Sequence, residues 1–221
     1  MGGVVVSCEH GGNRVPRRYA GLFAHAGGVL ASHRGHDPGA LAVARVLARA
    51  WRAPLVAATT TRLLVDLNRS PGNPAVFSAF SRDLPREERA ALLARIHAPH
   101  WERVRSALDA LPQRALHVAV HSFTPVLRGE TRRFDVGLLY DPARRGERDL
   151  AAAWRRRLRD AGLRVRRNAP YRGTSDGLTT ALRREHRRRR YLGLELELNQ
   201  RTLADPASRR ALVAALTALP R

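Results

Sequence analysis

Several short stretches of the chain carry side chains whose types and spacing suit chemistry. Ser7-Cys8-Glu9-His10-Gly11-Gly12-Asn13 sets an acid and a histidine beside two glycines. Glycines let a backbone turn sharply and approach a ligand closely, and a neutral imidazole ligates metals. A loop histidine bonded to backbone is the equal alternative. A second stretch holds His33, His36 and Asp37. Asp37 with Pro38 reads equally well as a metal-ligand position or as a helix N-cap followed by proline at the first helical position. In Val118-Ala119-Val120-His121-Ser122 a polar pair ends an apolar run. Buried polar groups there need partners, and a metal is one. No Gly-x-Ser-x-Gly elbow surrounds Ser122, so it is a poor nucleophile.

Arg62, Asp66, Asn68 and Arg69 form a fourth group. The guanidinium fork matches a carboxylate bidentately. Among 40 arginines a single one carries little weight, and the adjacent Asn68 carries more. In Gly193-Leu194-Glu195-Leu196-Glu197-Leu198-Asn199-Gln200, alternation places Glu195 and Glu197 on one face of a strand. A general base beside a metal would explain one of them; an edge strand with a solvated face is the other reading. His97 and His100 lie three apart on a helical stretch and could share a face. Such a pair is more often structural, and both are left outside the site.

These side chains need elements to hold them. Apolar runs at 4–7, 55–59, 62–67, 116–121, 136–140, 163–167 and 191–198 predict strands. Helical patterns cover 40–51, 86–111 (kinked at Pro99), 147–161 (ended by Gly162), 178–190 and 206–219. Strands alternating with helices predict an α/β domain over 1–221, with a mostly parallel central sheet flanked by helices. The chemically interesting residues fall at predicted strand ends, where such sheets bind ligands. The Pro- and Gly-containing segment 69–82 is the most loop-like and a candidate lid.

Composition narrows the function classes. The basic residues number 40, all arginine, against 19 acidic ones. That excess could serve a polyanion, but it is spread along helical faces. The dense stretches 155–159 and 183–190 have no interleaved aromatics. Nucleic-acid binding beyond nonspecific attraction is therefore the lesser reading. The lone cysteine, Cys8, excludes an internal disulfide. As a nucleophile it competes with a simpler role as a small buried residue. No apolar stretch approaches the roughly 20 residues of a membrane span, and the first strand begins almost at once. The expectation is a cytoplasmic protein.

The chain resembles the N-formylglutamate amidohydrolase family. The resemblance rests on Ser-Cys-Glu-His-Gly-Gly-Asn-Arg-Val-Pro (7–16), Arg-Leu-Leu-Val-Asp-Leu-Asn-Arg (62–69) and His-Ser-Phe-Thr-Pro (121–125). Val-Gly-Leu-Leu-Tyr-Asp-Pro (136–142), Asn-Ala-Pro-Tyr-Arg-Gly (168–173) and Leu-Glu-Leu-Glu-Leu-Asn-Gln (194–200) extend it. It implies a zinc-carboxypeptidase-like fold, a divalent metal with zinc foremost, and hydrolysis of an N-formyl- or N-acyl-amino acid amide. A carboxypeptidase or peptide amidase activity is the variant on the same fold. By resemblance His10 and His121 are metal ligands. The peptidase pattern has Glu three residues after the first His, where this chain has Asn13. Asp37 is taken as third ligand instead, with Asn13 and Glu9 as alternatives. Asn68, Arg69, Tyr171 and Arg172 are implied to bind substrate, Glu197 (less so Glu195) to act as catalytic acid–base, and Arg62 to stabilise an oxyanion.

Overall fold

The structure is a computed structural model that describes residues 3–111, 114–186 and 190–219. In chain order it forms β1 (Gly3–Cys8), α1 (Gly27–Ala31), α2 (Ala40–Ala50), β2 (Leu55–Ala57), α3 (Arg86–Leu92), α4 (Ala98–Asp109), β3 (Arg114–Phe123), β4 (Val126–Leu127) and β5 (Glu130–Thr131). There follow β6 (Val136–Leu139), α5 (Arg145–Asp160), β7 (Val165–Arg167), α6 (Leu178–Glu185), β8 (Arg190–Asn199), α7 (Gln200–Ala204) and α8 (Pro206–Thr217). Six strands make one sheet in the order β2-β1-β3-β8-β6-β7, while β4 and β5 form a separate hairpin. The first four sheet strands run parallel, and β6 and β7 run against them. The predicted α/β architecture is the one observed.

Strands in a sheet covered on both faces read as near-continuous apolar runs, as Val4-Val5-Val6 and the core of β3 do. On one face α2, α5 and α8 pack against Val4, Val6, Val118, Leu194 and Leu196. On the other, Trp101, Val104 and Leu108 of α4 and Leu178 and Leu182 of α6 cover Val5, Ala115 and Tyr191. β8 therefore lies at the centre of the sheet, with Glu195 and Glu197 8% and 5% exposed. The reading of an edge strand with a solvated face does not hold.

Other sequence expectations change form. The apolar run 62–67 is not a strand but a buried turn, since its backbone bonds locally, Leu64 N–H to Thr61 O and Arg69 N–H to Asp66 O. Leu63 and Leu64 feed one satellite cluster, Val65 and Leu67 another. The helix predicted over 86–111 is split by a π-helical turn, Leu93–His97, just before Pro99. A proline ring clashes with the carbonyl four residues back and donates no bond, and the wider turn relieves both. Asp37 does not cap α2; Gly39, at φ 82°, holds that place. The helix predicted over 178–190 stops at Glu185, and residues 187–189 lie outside the described part. The segment 69–82 is tied down rather than free, through Asn73 capping its own short 3-10 turn and through Asp176.

Two buried acids fix the frame around β8. Glu147 accepts both bonds of the Arg183 Nε–H (3.0 Å each) as well as the Gly193 and Asp141 amides. Arg183, drawn from a stretch that reads as solvated, is 5% exposed and also donates to the carbonyls of Gly173 and Gly193. Asp135 accepts from Arg164 N–H, Nε–H and Nη2–H and from the Thr202 hydroxyl, at 2.9 to 3.0 Å. It thereby joins β6 to β7 and α7. Burial alone would raise the Asp135 carboxyl, but these donors, Arg164 above all, outweigh it and hold it low. Asp135→Asn should cost about 1.5–3 kcal/mol, the range for bonds to charged groups. Because the folded pKa is depressed, the wild type's advantage is complete above the unfolded value of about 3.9 and is lost as pH falls through the folded one. Urea titrations at pH 7 and below pH 4 check this; an equal gap at both would refute the ionic contribution.

Candidate active site

β1, β3 and β8 are parallel, so their carboxyl ends meet on one edge of the sheet. Glu9 and His10 follow β1, and His121 sits near the end of β3. Glu197 lies directly across from His121 in the β3–β8 register. On its other side Glu197 faces Gly137 of β6. A methyl at Gly137 would collide with the Ala169 carbonyl and stand 3.1 Å from Glu197 Cβ, so glycine leaves the room that both occupy. Gly11 and Gly12 serve a similar need. A Cβ on either would stand 2.8 Å from the carbonyl of Ala58 or Thr59, so their close approach is to neighbouring backbone.

All ten residues that the sequence singles out as metal, catalytic or substrate-binding line one cavity of about 200 Å³. Within it His10, Asp37 and His121 form a buried group able to hold a metal ion, their ligand atoms within 4.8 Å of one another. His10 Nδ1 lies 3.5 Å and His121 Nδ1 2.9 Å from Asp37 Oδ2. Ligands at about 2 Å from a shared zinc ion stand about 3–3.5 Å apart. Each imidazole is held from behind by an acid: His10 Nε2 by Asp66 Oδ1 at 2.7 Å, His121 Nε2 by Glu9 Oε2 at 3.2 Å. For His10 this is how metal-ligating histidines are oriented, with the outer nitrogen donating to a carboxylate and the inner one left for the metal; at His121 the acid behind the ring stands at ion-pair distance and Nδ1 meets Asp37. His10 Nδ1 is buried without a hydrogen-bond partner, an orphan that a metal would satisfy. On donor set, spacing and orphaned atom, the residues fit a metal.

The electrostatics agree. Burial would raise Asp37 and Asp66, yet His10, His121 and Arg62 beside them hold both carboxyls far below the usual range. Burial disfavours an imidazolium at His121, but Asp37 and Glu9 reverse the balance and draw positive charge there. Arg62 spans the two acids, Nη1 to Asp37 Oδ1 at 3.2 Å and Nη2 to Asp66 Oδ2 at 3.0 Å. Burial pushes Glu197 up to about 8, with Asp37 and Glu195 adding to the shift. Its Oε2 is buried and unpartnered. Glu195, by contrast, accepts the Thr179 hydroxyl.

The polar walls are set with equal care. Asn68 Oδ1 accepts Leu178 N–H at the start of α6, which turns its amide NH₂ toward His121. Arg69 donates to the Asp176 carbonyl at 3.3 Å, and its own carbonyl accepts from His97 Nε2 at 2.7 Å. The Asp176 carboxylate accepts from Ser70 N–H, the Ser70 hydroxyl and Asn73. It clasps the Arg69 segment to the loop that carries Tyr171 and Arg172.

Other residues are engaged in contacts of their own. Asn13 points away, its amide donating to the Leu30 carbonyl. Ser122 lines the cavity, but its hydroxyl is engaged with the Pro38 carbonyl and Gln200. Cys8 is fully buried and free, and burial raises its thiol well above the ordinary value, which makes it inert. His100 lies one layer behind the cavity, 3.5 Å from Glu9. Asp176 was not legible, since Thr-Ser-Asp-Gly reads only as a turn.

Comparisons with known proteins bear on this geometry. The profile of the N-formylglutamate amidohydrolase family matches residues 2–204. The crystal structure of a gene product from Agrobacterium tumefaciens is similar at a TM-score of 0.85 and 32% identity, over 99% of this chain and 89% of that one. The N-formylglutamate amidohydrolase from Ralstonia eutropha JMP134 gives 0.71 at 19% identity, over 97% and 91% of the two chains, a likeness of fold. No functionally curated protein matches the sequence.

Proposed function

The chain belongs to the N-formylglutamate amidohydrolase family, and from that premise we propose that it is a zinc-dependent hydrolase of N-formyl- or N-acyl-amino acids, cleaving the amide beside a carboxylate. One observation carries the reading: the His10–Asp37–His121 group shares its cavity with a buried, unpartnered Glu197. A zinc ion held by His10, Asp37 and His121 supplies a Lewis acid that polarises a carbonyl and acidifies water.

The protein's side chains do the rest. Glu197, which burial holds toward its acid form, would ionise beside a bound cation, accept the proton of the attacking water at its unpartnered oxygen and return it to the leaving amine nitrogen. Glu195, tied to Thr179, is the lesser candidate for that proton. Arg62, with two of its donors spent on Asp37 and Asp66, keeps those acids ionised and in place. Its remaining N–H groups are what it has for a developing oxyanion. Asn68 and Arg69 hold the substrate carboxylate, with Tyr171 and Arg172 on the facing loop. We take residues 1–221 as one domain. Among the described residues no helix is long and apolar enough to cross a membrane. The free, buried cysteine suits a cytoplasmic setting.

The direct test is metal analysis of the purified protein, with N-acyl amino acids assayed in added zinc, cobalt and manganese. Metal-free protein of full activity would overturn the proposal. Arg69→Lys tests the clamp. Lysine keeps the charge but loses the planar fork, so the expected result is a raised KM with a smaller change in kcat. Substrates whose carboxylate is replaced by an amide should be poor for the wild type and little worse for the variant, because the contact is missing in both. Equal harm to acid and amide substrates would make Arg69 structural.

A further inference from the structure

A second, larger groove of about 890 Å³ opens along the β6–β7 edge of the sheet. Its walls carry Arg132, Arg133, Arg155, Arg159, Arg164 and Arg166, against a single acid, Glu130. In a chain so rich in arginine, the distinguishing fact is that six of them converge on one concave wall with a single acid among them. Some arginines elsewhere lean on acids, as Arg18 does on Glu88, Arg105 on Glu185 and Arg145 on Asp149, and others stand singly on exposed helical faces, as Arg45, Arg49 and Arg210 do. Of the six here, only Arg164 is paired, with Asp135. Among the described residues the others have no carboxylate within ion-pair distance. Arg132 also has a buried Nη1 without a hydrogen-bond partner.

The groove also adjoins the catalytic cavity. The Arg132 guanidinium lies 5.5 Å from the Tyr171 ring and 5.8 Å from the Phe123 ring, both of which line that cavity. Ala169 and Pro170 line the groove, and the next two residues, Tyr171 and Arg172, line the cavity. Convergent, unpaired positive charge within a concave wall concentrates anions.

Resting on the hydrolase reading, we propose that this groove is an anion-binding subsite for extended substrates, taking the acidic acyl-side portion of a chain whose terminal amide is cleaved next door. With the substrate carboxylate held at Asn68 and Arg69, an extension leaves on the acyl side. The substrate class is then a short acidic peptide capped by a free carboxylate, with compact N-acyl amino acids as minimal substrates.

The test uses the metal-loaded full chain, with N-formylglutamate as compact substrate and tetraglutamate as extended one. R155E/R159E/R166E reverses the groove. R45E/R49E/R210E makes the same change of net charge at exposed helical positions elsewhere. The groove variant should lose about ten-fold or more in kcat/KM for tetraglutamate, within the range of electrostatic steering. N-formylglutamate should stay within about two-fold, and the control variant should match the wild type on both. Equal losses in the two variants would reduce the effect to overall charge and overturn the subsite, as would no loss in either. Anisotropy of fluorescein-labelled tetraglutamate reads binding directly. If the wild type turns over neither substrate, the hydrolase reading fails, and ten-fold weaker binding by the groove variant alone would still uphold the anion site. If that variant instead loses only binding of single-stranded nucleic acid, the surface serves a different partner and the proposal is wrong.

Discussion

Glu197→Gln retains its metal and loses about 10²- to 10⁴-fold of its turnover, the usual worth of a general base. Glutamine is isosteric, so neither the strand nor the space beside Gly137 is disturbed, and only the proton-accepting oxygen is removed. Binding of substrate changes little, because the group that Glu197 serves develops in the transition state. Glu195→Gln is milder. Its carboxylate already receives the Thr179 hydroxyl, and an amide oxygen can accept the same bond. The comparison needs kcat and metal content for both variants in one preparation. Reversed severities would move the catalytic role two residues back along β8.

Replacement of either histidine removes metal and activity together. His10→Ala and His121→Ala should weaken metal binding by more than the 10- to 100-fold typical of losing an outer-layer partner. Asp66→Asn, which leaves all three proposed ligands in place and removes the anion behind His10 along with one partner of Arg62, should fall within that lower range. Ligation needs neutral imidazole, so affinity in the wild type also declines as pH drops. Elemental analysis after dialysis, alongside thermal unfolding, separates a lost ligand from a lost fold. A folded His121→Ala protein with a full complement of metal would sink the assignment.

How much of this was legible in the sequence follows from where the hydrogen bonds go. β1, β3 and β8 were readable because strands buried on both faces are unbroken apolar runs. Two acids inside such a run stood out for the same reason. The segment 62–67 has a similar apolar centre, Leu63-Leu64-Val65, but its bonds close within a few residues, and hydrophobicity alone cannot tell a buried turn from a strand. Asp37 is ambiguous by type, since Asp-Pro starts helices as readily as it faces a metal; the placement of His10 and His121 around it is what favours the metal reading. Arg183 belongs to a run of arginines that reads as solvated, and its buried partner, Glu147, lies 36 residues away. The pairing of His121 with Glu197 is a matter of register between strands far apart in sequence, which local patterns do not encode.

The position of β8 has a consequence for the life of the chain. The strand at the middle of the sheet is the last to be synthesised, and it pairs with β3 along ten residues and with β6 along four. Until it arrives, β3 and β6 each present an open edge, the template on which strands of other chains add. A ribosome-bound or truncated chain lacking β8 would already contain His10, Asp37 and His121 but no Glu197. The vulnerable interval thus lasts until β8 has been made, and sequestration of those two edges by a chaperone should matter more than any help with the early helices.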